Sequence, residues 1–138
     1  MQDAYTSAFY GVVKDTQKQT GYELPHYLEA YIVMLLATYV KNPNFEPSNS
    51  FAESYLQIDS VRDAKKLGDT CLFVSGVFPS YGERKGLSRK YYKDIGRSSY
   101  ASMRGEIFVE LSTHFDLLSN FIELSSTPPK SPQSNLFR

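Results

Sequence analysis

Cysteine occurs once in this sequence of 138 residues, tryptophan does not occur, and the fifteen basic and fifteen acidic residues cancel. A single thiol, Cys71, excludes an internal disulfide framework and fits a reducing compartment. Zero formal charge removes any global attraction to nucleic acid or to an anionic membrane surface. The longest apolar run, Ala30 to Ala37, is too short to span a bilayer. The first residues, MQDAYTSAFYG, carry Asp3 and no basic residue before Lys14, which is not the pattern of a secretory leader. These absences point to a soluble, cytoplasmic chain with no membrane partner.

Apolar residues make up 41% of the chain, and eleven Tyr and nine Phe supply bulk in place of Trp. That length and composition suit one domain that needs no disulfide or metal staple. Helical periodicity dominates, and no run alternates in the manner of a strand. Tyr5, Ala8, Phe9, Val12 and Val13 fall at helical spacing between Ala4 and Gln19, and Gly21 stops the segment. Pro25 suits a first helical turn, and Leu24, Tyr27, Leu28, Tyr31, Ile32, Leu35, Leu36, Tyr39 and Val40 then line one face. Ala30, Val33, Met34 and Ala37 make the other face apolar too, which predicts a central helix from Pro25 to Val40.

NPNFEPSNS reads as a loop, with a short helix near Phe51 to Gln57. Ser60 with Asp63 resembles a capping box that opens a helix from Val61 to about Phe78, where Pro79 ends it. Gly68 and Gly76 in that helix predict the close approach of a neighbour. Ser88 is the expected N-cap of the next helix, with Leu87 and Tyr92 at staple spacing. A last helix follows Gly105, with Ile107, Phe108, Leu111, Phe115, Leu118, Phe121 and Ile122 on one face. The prediction is an all-α, single-domain, bundle-like packing of five or six helices over residues 1–124. The Pro- and Ser-rich stretch 125–138, SSTPPKSPQSNLFR, reads as an extended or flexible C-terminal tail.

Seven of the fifteen basic residues lie between Arg84 and Arg104, against one acid, Asp94. With Ser88 as cap, Arg89, Lys93, Arg97 and Arg104 fall on one side of a helix, and Arg84 and Lys85 sit just before its positive end. Guanidinium groups favour anions, and interleaved tyrosines can stack on bases. One reading is a site for an acidic protein surface or an anionic ligand, built from Arg84, Arg89, Lys93 and Arg97 with Tyr91 and Tyr92. Nucleic acid or a phosphate ligand on the same patch is the alternative, disfavoured by the neutral chain. The competing structural reading pairs these cations with the last helix, which carries Glu106, Glu110, Asp116 and Glu123 and no Lys or Arg. Asp69, at the head of an apolar run, needs a partner, and one of the arginines between Arg84 and Arg104 is the expected one.

Catalytic spacings are scarce. Cys71 with His26 or His114 is the only thiol–imidazole combination available, and a small helical enzyme centred on Cys71 and His114 is a further alternative. Against it, TCLFVSGVF reads as a buried run, where a thiol is inert. Two His and one Cys give no zinc spacing, so no metal or other cofactor is expected. GDTCLFVSG has no Lys-Ser or Lys-Thr after its glycines and is not a phosphate loop. The small residues of GRSSYAS suit either a polar pocket or tight helix packing.

GDTCLFVSGVFP, followed by KYYKDIGRSSYASM, resembles a group of uncharacterised all-helical bacterial proteins. The resemblance covers about a quarter of the chain and rests on the spacings GDxxLFxxG and YYxxxGxxxY. It implies a helical fold and a bacterial source, and carries no activity, cofactor or site residue. The function expected from the residues is a non-enzymatic binding or protein-interaction module that uses the basic, Tyr-rich helix.

Overall fold

The computed structural model describes residues 3–42, 44–47 and 49–126. Seven α-helices and one 3-10 turn make up the regular structure of these residues, and none of them is in a strand. They are α1 (Ala4–Thr20), α2 (His26–Lys41), α3 (Phe51–Leu56), α4 (Val61–Val77), the turn η1 (Glu83–Lys85), α5 (Arg89–Ala101), α6 (Glu106–Thr113) and α7 (Phe115–Ser126). The all-α, bundle-like class read from the sequence is the observed one. α7 runs two residues into the stretch assigned to the tail, and the remainder, 127–138, lies outside the described residues.

The helix starts follow their capping residues. Asp3, Ser50, Ser60 and Ser88 each accept a backbone N–H three residues on, satisfying one donor that the first turn leaves open. Gly21 closes α1 in the left-handed conformation at φ 72°. The predicted last helix is two helices, divided at His114, which sits at φ −102° and ψ 19°. Ser112 and Thr113 just before the break are weak helix formers. The Ser112 hydroxyl donates to the Arg97 carbonyl of α5 at 3.0 Å.

The centre is α4, not the predicted α2. Leu67 to Gly76 is buried without interruption, and α4 packs most extensively against α5 and α7, while α2 packs chiefly on α1. The sequence suggested α2 because that helix is apolar all round. It is only partly enclosed instead: Val33 and Ala37 are buried, but Tyr27, Met34 and Val40 are half-exposed. What admits α4 to the middle is small size at the crossings. A Cβ on Gly68 would lie 2.7 Å from the Tyr100 ring of α5, and one on Gly76 would lie 2.6 Å from Ile122 of α7. Gly96 of α5 returns the arrangement, its missing Cβ leaving room for Phe115 and for Cys71 of α4.

α1 and α2 are joined by a polar clasp. Buried Gln17 donates to Glu29 at 2.5 Å and accepts the Leu24 N–H at 2.7 Å, and Lys14 pairs with Glu29 at 3.0 Å. Burial alone would raise the Glu29 carboxyl, but the Gln17 hydrogen bond and the Lys14 ammonium hold it below its ordinary value.

Candidate functional site

The basic face of α5 lies against α7. Arg89 donates from Nε to the Ser75 carbonyl at 2.8 Å, from Nη2 to the Ser119 hydroxyl at 3.3 Å, and pairs with Glu123 at 3.1 Å. The Ser75 contact has a local cause. In a continuing helix that carbonyl would accept the N–H of residue 79, but residue 79 is proline and has none. The Arg89 fork takes that place and closes the end of α4.

One turn on, Lys93 sits 3.8 Å from Asp116, its side chain only 16% exposed. Burial, reinforced by the Arg89 charge, pushes the Lys93 ammonium down from its ordinary value. Arg97 bridges Asp94 at 3.0 Å and Asp116 at 2.7 Å. Lys90 also reaches Asp94, at 2.6 Å. That hydrogen bond, with help from Arg97, holds the Asp94 carboxyl below its usual range.

The proposed anion-site residues are therefore brought partly together. Arg89, Lys93 and Arg97 form a row, and the anions they meet are Glu123 and Asp116 of α7 and Asp94 of their own helix. Arg84 stands apart, exposed on η1, with no ion pair among the described residues. Tyr91 and Tyr92 are used inside the fold. The Tyr91 hydroxyl accepts the Ala52 N–H at 3.1 Å, at the start of α3. Tyr92 is buried edge-on to Phe51 and Tyr81, at 4.9 and 5.4 Å between ring centres.

Asp69 does not meet an arginine. Its Oδ1 accepts the hydroxyls of Tyr31 at 2.5 Å and Tyr100 at 2.7 Å, and its Oδ2 accepts Lys65 at 2.8 Å. Sequence reasoning missed these partners, tyrosines on α2 and α5. Burial first, and the Asp69 charge second, raise both phenols above the ordinary tyrosine value.

The thiol–imidazole alternative lacks its chemistry. Cys71 is fully buried, and burial pushes its thiol well up, away from the reactive thiolate. His26 is almost wholly exposed, 4.0 Å from Glu29. His114 pairs with Glu110 at 3.3 Å at the α6–α7 break. Among the described residues no group of three or more His, Cys, Asp or Glu is placed to hold a metal ion. No helix among them is long and apolar enough to cross a membrane.

The surface feature left without an internal explanation is an apolar groove of about 480 Å³. Phe9 and Val12 of α1 form one wall, and Tyr39 of α2, Phe45, Phe73 of α4 and Phe78 form the other. The aromatic wall is tightly built: Tyr39 stacks on Phe73 at 4.9 Å, and Phe45 lies 5.6 Å from Phe73 and 6.2 Å from Phe78. Val40 and Phe78 on the rim are 42% and 44% exposed. No charged residue lines the groove among the described residues. Tyr39, the one titratable group among the described lining residues, points its hydroxyl to Thr70 at 2.8 Å and is pushed up to about 12 by burial. Ser125 and Ser126 close one end, where the Ser125 hydroxyl donates to Thr16 of α1 at 3.0 Å. The sequence signal for the groove was Phe45, a large aromatic stranded in the Pro- and Asn-rich loop, together with the outer residues of the α1 stripe.

The fold places the chain among all-α helical domains. Compared with known proteins, it matches no family model, no curated protein and no solved structure.

Proposed function

We propose that this domain is a non-enzymatic binding module that seats a short apolar, aromatic-bearing peptide segment in the α1–α2–α4 groove. The binding role is the one the sequence suggested, moved to another surface. Arg89, Lys93 and Arg97 already hold carboxylates of the same domain, so the basic face of α5 has little left to offer a ligand. The observation that supports the groove is its chemistry: a lining of aromatic and aliphatic side chains, half-exposed Val40 and Phe78 at the rim, and no charged residue among the described residues that line it. Its volume falls in the range of ligand-binding clefts, and a contiguous exposed apolar surface of this kind marks an interaction site.

The test is titration with the dye anilinonaphthalene sulfonate, on the wild-type chain and on a V40E/F78Q variant. Saturable binding that the variant loses while its circular-dichroism melt stays cooperative is the expected result. Equal binding by both proteins, or no binding by either, overturns the assignment.

A further inference from the structure

Ser125 and Ser126, the last residues of α7, line the groove, and the hydrogen bond from Ser125 to Thr16 pins that helix end to α1. The chain therefore leaves the described residues beside the groove. The twelve residues that follow, TPPKSPQSNLFR, contain only two large apolar side chains, the adjacent Leu136 and Phe137. We propose that Leu136 and Phe137 of this same chain fill the groove, so that residues 127–138 act as an intramolecular plug that an incoming peptide must displace. The inference rests on the groove being a peptide site, and deepens that reading by naming its resident ligand.

The reach is sufficient. Phe137 is eleven residues beyond Ser126, and a Pro-rich spacer extends by about 3.1 Å per residue, or roughly 34 Å at full stretch. That exceeds the width of a groove of this volume, so the segment can turn back into it. Three prolines, Pro128, Pro129 and Pro132, also reduce the conformational freedom lost on docking. Tethering supplies the rest: a short linker gives an effective concentration in the mM range. A segment that binds in trans with a Kd of only ~0.1 mM is then seated about nine-tenths of the time, and an outside ligand sees its affinity reduced about tenfold. The plug thus sets a threshold: weak apolar segments are refused, and only a tighter partner enters.

The experiment uses the full-length chain and a synthetic peptide of residues 127–138 carrying fluorescein, followed by fluorescence polarisation. An L136S/F137S variant removes the plug without touching the described fold. The peptide is expected to bind this variant about tenfold more tightly than it binds wild type, with both proteins sedimenting as monomers. Equal affinity for the two proteins overturns the plug, since the native segment then leaves the groove open. So does peptide failing to bind either protein while dye binding still depends on Val40 and Phe78; that outcome spares the groove and rejects its occupant. Loss of dye binding as well rejects the groove itself. Wild type sedimenting as a dimer while L136S/F137S is monomeric assigns the groove to the segment of a second copy and overturns the intramolecular form.

Discussion

Replacing Arg89 by Met keeps most of the aliphatic stem and removes three interactions at once. The largest loss is at the Ser75 carbonyl, part of a residue that is 1% exposed, where Arg89 stands in for the missing N–H of Pro79. A buried acceptor left without a donor costs about 1–3 kcal/mol. The Ser119 hydroxyl keeps its bond to Ser75 Oγ at 2.9 Å, so its loss is minor. The Glu123 carboxylate is 42% exposed, and a half-solvated ion pair of this kind contributes at most about 1 kcal/mol. The total is about 1–4 kcal/mol. A 138-residue domain loses roughly 3–4 °C in Tm per kcal/mol, so R89M should melt roughly 3–16 °C lower. Circular dichroism at 222 nm reads this directly, with R84Q, an exposed cation on η1, as the control that stays at the wild-type Tm. R89K should resemble R89M more than wild type, because the interaction depends on the planar fork and not on charge alone. If R89M melts within a degree of wild type, Arg89 is not closing α4, and the basic face of α5 returns as a ligand surface.

Three further outcomes follow from the same packing. G96A should lose about 1–3 kcal/mol from overpacking, since the new Cβ would lie 2.4 Å from Phe115 and 2.7 Å from the Cβ of Cys71; an unchanged thermal melt would mean that α4, α5 and α7 pack more loosely than described. Cys71 should react with Ellman's reagent only after unfolding, and reaction of the native protein at the rate of a free thiol would contradict its burial. Alkaline pH should destabilise the fold: Tyr31 and Tyr100 are raised, and Tyr39 titrates at about 12 against an ordinary 10.0. Above pH 10 the unfolded chain releases phenolic protons that the folded chain keeps. Stability is therefore full below that pH and declines as pH rises toward 12. Urea melts between pH 8 and pH 12 measure it, and a flat profile would refute the tyrosine environments.

The helices were legible because their signals are local. Asp3, Ser50, Ser60 and Ser88 start helices with side-chain oxygens that need only three following residues, and Gly21 and Pro79 stop them by backbone conformation and a missing donor. The close approaches at Gly68 and Gly76 were legible for a related reason, since a glycine inside a helix has few other uses. Which helix would be central was not legible. The choice between α2 and α4 depends on complementary shapes from distant parts of the chain, and an apolar helix with Met34 and Val40 outward looks the same in sequence as a buried one. The partners of Asp69 were misassigned because charge complementarity pointed to arginine, whereas the fold solved the same problem with two phenols and Lys65. The basic segment was found at once, yet its acidic partners on α7 lie nineteen or more residues away. Whether those carboxylates face it depends on the break at His114, which periodicity does not announce.

The Asp69 carboxylate has a consequence beyond its own hydrogen bonds. Tyr31, Asp69 and Tyr100 come from three different helices, and both phenols converge on a single oxygen atom. Apolar surfaces tolerate sliding: a helix displaced by one turn, about 5.4 Å, can still cover much of its neighbour. A phenol that must reach one oxygen within hydrogen-bond distance cannot follow such a slide. The junction therefore acts as an indexing pin, fixing α2 and α5 at one axial position along α4 while the surrounding side chains supply cohesion.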